Sequence, residues 1–423
     1  MNILFLSDTL SNNDLTKRVF LEYLKITPRL DSNEFFENIE INYNDIPQDK
    51  YLVFYDTFHG IQTFENKFND ENLFDRIVND CRQGRCRIVF FQTDCCGYGY
   101  GEDDTWKNFR KLIEKHNLNM ESFGFVLYES LLKNDRQYVI DDLDYTFFNR
   151  NAVFTYYPDS WILSKSMNTD ALKSIFNNSG GYYRQFKYAS HNNNIKDHRV
   201  ELMLTLIKNN LLEDGITTWF GGREPDEQGV NNLNFNQYKT IDRGMIDYSV
   251  DYGQGTVDIA NKLVPNSYDY KIDGLQDYLN VIPYFNCYFN IVTESVWGPG
   301  YDNTQPQKIH LTEKVWKCMI TYQPFILISN KNNLKKLKEW GFKTFHPFID
   351  ESYDDLETYE ERKKLIEKEI VRLCAMSRED LDKWYWNMRE ILIHNAEHFN
   401  KFINNEYNKL QRFLKKSFDK IDG

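Results

Sequence analysis

The sequence predicts an α/β protein with two domains, each built on a mostly parallel sheet, followed by a long helical segment. Its 423 residues exceed what one hydrophobic core usually organises. Apolar and aromatic runs of strand length alternate with amphipathic or polar segments in both halves, which is typical of α/β folds. A hydrophobic content of 41%, with 16% aromatic residues, excludes a disordered chain.

Short apolar runs in the first half predict the strands of a first domain over residues 1–170. A helical segment, DDTWKNFRKLIEKHN, separates two of these runs and favours parallel pairing. The polar stretch Met167 to Gly181, ending NNSGG, is predicted to be the linker. The predicted strands are Asn2 to Ser7, Tyr51 to Tyr55, Arg87 to Gln92, Phe123 to Tyr128 and Ala152 to Tyr157.

The same alternation predicts a second domain over residues 182–353. An amphipathic helix, HRVELMLTLIKNNLLEDG, follows its first strand and stops at Gly215. Residues 223–273 are polar with weak periodicity, which predicts either a flap or an irregular excursion. Residues 354–423 are predicted to be helical and to end in one long helix. The predicted strands of this domain are Phe186 to Ser190, Ile216 to Phe220, Asn286 to Val292 and Gln323 to Ile328.

Charged residues gather at the ends of elements between residues 284 and 354. Thr312 is a good N-cap, so Glu313 and Lys314 should fall in the first turn of the helix EKVWKCMIT. A helix start offers free N–H groups and partial positive charge, which suits a phosphate. Glu294 follows a buried strand. Ligands of open parallel sheets bind outside the carboxyl ends of strands, so these residues are candidate site residues.

Composition limits the compartment and the partners. The seven cysteines are odd in number and irregularly spaced, which favours a reducing compartment over a disulfide framework. A net charge of −12 argues against bulk attraction to DNA or to an anionic membrane. The sequence holds no apolar run long enough to span a membrane, and its start lacks the basic region of a signal peptide. We therefore expect a cytoplasmic protein without a membrane span.

The order VTES, polar loop, LTEKVW, PFIL resembles the strand, helix and strand of the α-1,3-fucosyltransferases, glycosyltransferase family 10, with their viral and bacterial relatives. Upstream, KYASHNNNIKDHRVELMLTLIK resembles the family's Ser-Asn and Arg segment. The resemblance covers residues 184–350, and before residue 160 only QTD and AVFTYY match. It implies the GT-B architecture, in which two Rossmann-like domains face a cleft, with the donor in the second domain and the acceptor in the first.

The resemblance also implies roles for individual residues. Arg199 and Lys314 would hold the diphosphate of a nucleotide-sugar, and Glu313 would take the ribose hydroxyls. Glu294 would either orient the sugar or cap its loop. Two further donor-binding candidates are Ser190 and Asn192. Arg, Lys and a helix N-terminus can stabilise the departing diphosphate, so neither a metal nor a cofactor is expected.

An inverting transfer needs a carboxylate that accepts the proton of the acceptor hydroxyl. The resemblance places this base on the loop QTDCCGYGYGED, which makes Asp94 the candidate, although the family usually has Glu there. Asp56 and His59 in YDTFHG, and Glu102, are the rivals.

The expected function is transfer of a sugar, GDP-fucose-like by the resemblance, from a nucleotide donor to a hydroxyl, with a glycan as the first choice of acceptor. One alternative acceptor is a hydroxymethylated DNA base. Another alternative is a catalytically silent protein that binds nucleotides or carbohydrates.

Three other patterns are expected to form neither a cofactor site nor a metal site. The glycines of GYGYG, residues 97–101, lack the dinucleotide-binding spacing and are expected to permit a mobile acceptor loop. His394 and His398 are expected on a helix surface. Asp141, Asp142 and Asp144 are expected in a solvated turn.

Overall fold

The computed structural model of the chain describes residues 2–7, 40–42, 46–57, 71–92, 102–127, 144–147, 149, 169–180, 183–192, 197–219, 281–295, 297 and 309–422. Two compact units emerge. Unit 1 comprises residues 1–153 and 401–423, and unit 2 comprises residues 154–400. The domain ranges 1–170, 182–353 and 354–423 stay a prediction from the sequence pattern.

Unit 1 is built on a parallel sheet in the order β2-β1-β3-β4-β5-β6. Two described helices, α1 (Glu71–Arg82) and α2 (Glu102–Lys115), connect strands of this sheet. The strands are β1 (Asn2–Ser7), β2 (Glu40–Asn42), β3 (Tyr51–Thr57), β4 (Cys86–Gln92), β5 (Phe123–Leu127) and β6 (Tyr145–Phe147).

The core of unit 1 follows from the aromatic and β-branched runs of its central strands. Phe90 of β4 stacks on Phe125 of β5 with ring centroids 5.5 Å apart, and Phe109 of α2 meets Phe90 edge-on at 5.7 Å. The two three-residue edge strands were too short to be predicted. The predicted strand at residues 152–157 lies outside the described residues.

Unit 2 is built on a second parallel sheet in the order β10-β9-β7-β8. Its strands are β7 (Phe186–Asn192), β8 (Gly215–Trp219), β9 (Cys287–Thr293) and β10 (Phe325–Ile328). Its described helices up to residue 339 are α3 (Thr169–Asn178), α4 (Asp197–Lys208), α5 (Val281–Asn286), α6 (Glu313–Ile320) and α7 (Asn333–Glu339). The predicted class, α/β with parallel sheets and C-terminal helices, is confirmed.

The strand order of unit 2 reverses between β7 and β9. The chain leaves β7 through α4 to reach β8 on one side, and later returns to place β9 on the other side of β7. In open α/β sheets such a reversal opens a crevice at the carboxyl ends of the two strands, where ligands bind. The ends of β7 and β9 are therefore the place to look for a site.

The predicted linker, Met167 to Gly181, is wrong because most of it is helix α3. Leu172 and Phe176, four residues apart, form a buried apolar stripe on this helix. Phe176 stacks on Tyr322 with ring centroids 4.3 Å apart. The polar ending NNSGG is typical of a linker, whereas the four-residue spacing of Leu172 and Phe176 is typical of a helix.

The C-terminal segment contains three α-helices, α8 (Tyr359–Cys374), α9 (Arg378–Asn387) and α10 (Arg389–Asp419). The expected single long helix is thus broken at Met388, where no Gly or Pro marks the break. Residues up to 400 of α10 belong to unit 2, and those from 401 belong to unit 1. No helix in the described ranges is both long and apolar enough to cross a membrane.

Candidate functional site

The candidate site lies where β7 and β9 end and where α4 and α6 begin. β7 ends at Asn192, and β9 ends one residue before Glu294. The first turn of α4 contains Arg199, and that of α6 contains Glu313 and Lys314. All six residues predicted to bind the donor therefore belong to unit 2 and cluster at one end of its sheet. The sixth, Ser190, is buried on β7.

Glu294 is the centre of this cluster. Its side chain is 0% exposed. Its Oε1 accepts a hydrogen bond from the backbone N–H of Thr312 at 2.7 Å, and its Oε2 accepts one from the Thr312 hydroxyl at 2.7 Å. The carboxylate thus ties the end of β9 to the residue that precedes α6. Of the two alternatives for Glu294, the contacts favour the loop cap.

Lys314 and Glu313 form an ion pair that includes Glu294. The Lys314 ammonium lies 3.2 Å from Glu313 Oε1 and 3.4 Å from Glu294 Oε2, and it donates to the Thr312 hydroxyl at 2.8 Å. The side chains of Glu313 and Lys314 are 23% and 24% exposed, so an incoming ligand can reach both.

The charges of this pair are fixed by their surroundings. Burial acts to lower the pKa of Lys314, but Glu313 and Glu294 outweigh it and raise that pKa above its ordinary value. Burial acts to raise the pKa of Glu313, but Lys314 and Lys317 lower it to about 2. Lys314 therefore stays cationic and Glu313 stays anionic at neutral pH.

Arg199 approaches the cluster from α4. Its guanidinium is 3% exposed and donates to the Thr293 carbonyl at 3.3 Å. Its charge opposes protonation of Lys314, so the two cations lie within electrostatic range of each other. His198, the preceding residue, has its Nε2 2.8 Å from the Glu294 carbonyl oxygen. The first turn of α4 is thus fastened to the end of β9.

A chain of hydrogen bonds joins the two strand ends. The Thr293 hydroxyl donates to Asn192 Oδ1 at 2.8 Å, and Asn192 Nδ2 donates to the Ser190 hydroxyl at 3.0 Å. All three side chains are buried. Ser190 and Asn192 therefore hold the shape of the strand ends in this structure.

A further polar residue, His191 near the end of β7, was missed by the sequence reasoning. The His191 ring is 5.6 Å from the ring of Tyr284, and its buried Nε2 has no hydrogen-bond partner among the described residues. Burial and the charge of Lys317 lower the pKa of His191 to about 4, so the ring is neutral at physiological pH. Its only sequence signal is a histidine within a strand that leads into HNNN.

Two roles in the site could not be predicted from the sequence. Thr312 occupies the predicted N-cap position, but its side chain makes no capping bond and turns to Glu294 instead. His310 is buried with its Nε2 3.9 Å from Glu294 Oε2. Thr312 and His310 both contact Glu294, which lies far before them in the sequence. No local pattern around Glu294 predicts either contact.

The candidates for a general base belong to the other unit. Asp94 and His59 lie outside the described residues. Asp56 is the penultimate residue of β3, in register with Ser7 at the end of β1, and Glu102 opens α2. The strand order of unit 1 reverses between β1 and β3, so Asp56 lies near the carboxyl end of one of the two strands at that reversal.

The other acidic and histidine patterns are structural where the structure describes them. Asp144 is not in a solvated turn: it is 13% exposed and pairs with Arg87 at 2.6 Å. His394 and His398 contact the backbone carbonyls of Gly341 and Trp340. Within the described ranges, no three or more His, Cys, Asp or Glu side chains are grouped so that they could hold a metal ion.

Comparison of the chain with protein-family models, with curated proteins and with solved structures finds no match. The case for a function therefore depends on the residues of the site and on the chemistry they can support.

Proposed function

We propose that the chain is a glycosyltransferase of GT-B architecture that moves a sugar from a nucleotide-sugar donor to an acceptor hydroxyl. The observation that carries the proposal is the grouping of Arg199, Glu313 and Lys314 at the strand reversal of unit 2, between two helix starts. The GDP-fucose-like donor and the glycan acceptor come from the resemblance to the α-1,3-fucosyltransferases.

The charge balance of the site supports an anionic ligand. Arg199 and Lys314 supply two positive charges, and α4 and α6 add the partial positive charge of their N-termini. Donors aimed at a developing charge are most effective when they are held in place before the reaction. Both cations are held in this way, by Thr293 and by the carboxylates beside Lys314.

The proposed reaction is a direct displacement. The acceptor oxygen forms a bond to the anomeric carbon as the bond from that carbon to the diphosphate oxygen breaks. Arg199 and Lys314 stabilise the negative charge that the diphosphate gains as it leaves. A carboxylate takes the proton of the acceptor hydroxyl. The configuration at the anomeric carbon inverts, and the reaction as proposed requires no metal ion.

We assign the base to Asp94, with Asp56, His59 and Glu102 as its rivals. Asp94→Asn should leave donor affinity unchanged and remove turnover, because an amide cannot accept the proton. Turnover that survives in Asp94→Asn, and disappears in one of the three rival variants, would transfer the assignment to that rival.

A thermal-shift screen with GDP-, UDP-, ADP- and CMP-linked sugars tests donor binding. A ligand at a hundred times its dissociation constant should stabilise the protein by about 2.7 kcal/mol. Lys314→Ala and Arg199→Ala should each abolish most of that shift, because each removes a charge that faces the diphosphate.

Lys363→Ala is the matched control for Lys314→Ala. Lys363 is also 24% exposed, and it pairs with Glu201 of α4 at 3.2 Å in the same unit. Lys363→Ala should keep the full thermal shift with the donor. A full shift in Lys314→Ala would contradict the proposed site. Donor binding without nucleotide release, whatever acceptor is added, would favour the silent binding protein.

A further inference from the structure

Glu294 uses its whole carboxylate within the protein. Both oxygens accept hydrogen bonds from Thr312, and Oε2 also lies within 3.4 Å of the Lys314 ammonium. The side chain has no exposed surface. A carboxylate with no exposed surface cannot make the contact with the sugar that a donor-binding role would require.

The backbone of Glu294 connects the remaining elements. Its N–H donates to the Ile328 carbonyl at the end of β10 at 2.9 Å. Its carbonyl oxygen lies 2.8 Å from His198 Nε2 on α4. One residue therefore links β10, α4 and the first turn of α6 at the end of β9.

We infer that Glu294 is a positioning residue, which sets Thr312 and the Lys314 ammonium in place for an anionic ligand and does not itself touch that ligand. The inference rests on the proposed function for its consequence in ligand binding. The contacts with Thr312 and Lys314 stand apart from that function and can be tested without any nucleotide.

Charged or titratable groups reach this part of the site from several elements. Glu313 and Lys317 are on the same helix as Lys314, and Glu294 faces it from the end of β9. Arg199 and His198 approach from α4, and His310 approaches from the segment before α6. Glu294→Gln keeps an acceptor for the Thr312 N–H but removes one of the two carboxylates that hold the lysine. The variant therefore separates the charge on Lys314 from the packing of the loop.

The first test measures the reactivity of the Lys314 amine. Brief acetylation with acetic anhydride over a range of alkaline pH, read by mass spectrometry, gives the apparent pKa of that amine in the full chain. In Glu294→Gln this pKa should fall by about one pH unit or more, since a carboxylate at such a distance commonly moves a neighbouring pKa by that amount. Lys363, in the same sample, should not change.

A control variant distinguishes this role from ordinary structural support. Glu351 is also a buried carboxylate that accepts hydrogen bonds from a threonine hydroxyl, Thr344, and a backbone N–H, that of Phe345, both at 2.6 Å. Glu351→Gln should cost stability and leave Lys314 unchanged. If the Lys314 pKa is the same in wild type, Glu294→Gln and Glu351→Gln, the inference is wrong.

The second test uses inorganic pyrophosphate and GDP as probes. Glu294→Gln removes a negative charge beside the site. If Glu294 acts by charge alone, both probes should bind this variant more tightly. Misplacement of Lys314 should weaken binding of both probes about tenfold, the effect of losing one good charged contact. Tighter binding would overturn the positioning role. Weaker binding of GDP alone, with pyrophosphate binding unchanged, would make Glu294 a contact of the nucleotide instead.

The two tests separate the inference from the proposed function. If the wild-type protein binds neither pyrophosphate nor GDP, the proposed function fails, and the acetylation experiment still decides whether Glu294 positions Lys314. If both probes bind and the Lys314 pKa does not respond to Glu294→Gln, the inference fails and the proposed function stands.

Discussion

Glu313 has two interactions that oppose each other at the scale of a single residue. Its carboxylate neutralises Lys314 at 3.2 Å, which weakens the attraction of the site for an anion. The same carboxylate is the proposed acceptor for the ribose hydroxyls, which strengthens binding of a nucleotide. A ligand with a ribose and a ligand without one should therefore respond in opposite directions when the carboxylate is removed.

We predict that Glu313→Ala weakens GDP binding about tenfold or more, because hydrogen bonds to a charged group contribute about 1.5–3 kcal/mol. Pyrophosphate should bind as well as before or more tightly. Calorimetric titration with both ligands measures the difference. Glu201→Ala, which removes a carboxylate that is 25% exposed and paired with Lys363, should change neither affinity. Equal losses for GDP and pyrophosphate would contradict the ribose contact.

The residue types of the site could be predicted because each carries a local signal. Thr312, Glu313 and Lys314 form a helix start that N-cap preferences reveal, and Arg199 follows a polar loop at another helix start. The contacts of Glu294 could not be predicted, since its partners lie eighteen and twenty residues further along the chain. Nothing in a single sequence distinguishes a carboxylate that meets a ligand from one that ties a loop.

At the scale of elements, β7 and β8 approach so closely that one position tolerates only glycine. A Cβ atom at Gly215 would lie 2.3 Å from the ring of Tyr188. That ring is fully buried, and its hydroxyl donates to the Leu211 carbonyl at 3.0 Å. Neither the ring nor the strand can move without disturbing the sheet that ends at the site.

We predict that Gly215→Ala destabilises unit 2 by about 1–3 kcal/mol, the usual effect of overpacking a core. Urea unfolding measures the change. Gly180→Ala is the matched control, because its Cβ would meet the nearest atom, on Trp386, at 4.0 Å, an ordinary contact. An unchanged midpoint for Gly215→Ala would mean that the Tyr188 ring can move aside.

Helices and strands with a clear hydrophobic pattern were predicted correctly. Elements whose composition resembles a loop were not. The aromatic and β-branched strands β3, β4 and β9 were recognised because they lie in the core. Helix α3 was mistaken for a linker because its polar ending outweighed two buried residues, Leu172 and Phe176. The break between α9 and α10 was missed because tertiary packing sets it, with Met388 fully buried there.

At the scale of the whole molecule, the last part of α10 belongs to unit 1 and is held there by charge as well as by apolar packing. Lys416 and Lys420 donate to the carboxylate of Asp144 at 2.9 Å and 2.8 Å. Arg87 of β4 donates to the same carboxylate at 2.6 Å. Arg87 lies 57 residues before Asp144, and Lys416 and Lys420 lie 272 and 276 residues after it, which is why the sequence suggested only a solvated turn at Asp144.

The cluster makes unit 1 sensitive to acid. Burial acts to raise the pKa of Asp144, but Lys420, Lys416 and Arg87 outweigh it and lower that pKa to about 2. A carboxyl group whose pKa is lower in the folded state stabilises the fold above its unfolded pKa, which is about 3.9. This contribution, on the order of 2 kcal/mol, is therefore lost as the pH falls from about 4 to about 2.

We predict that Asp144→Asn destabilises unit 1 at pH 7 by about 3 kcal/mol, because it leaves the buried Arg87 without its carboxylate. The variant should also lose part of the pH dependence below pH 4. Hydrogen exchange of peptides from β4 and β5, followed by mass spectrometry, measures unit 1 separately from unit 2. Asp75→Asn, on the exposed face of α1, should change neither quantity by more than a few tenths of a kcal/mol. If Asp144→Asn kept the acid sensitivity of the wild type, the three cations would not depend on Asp144, and apolar packing alone would hold the end of α10 in unit 1.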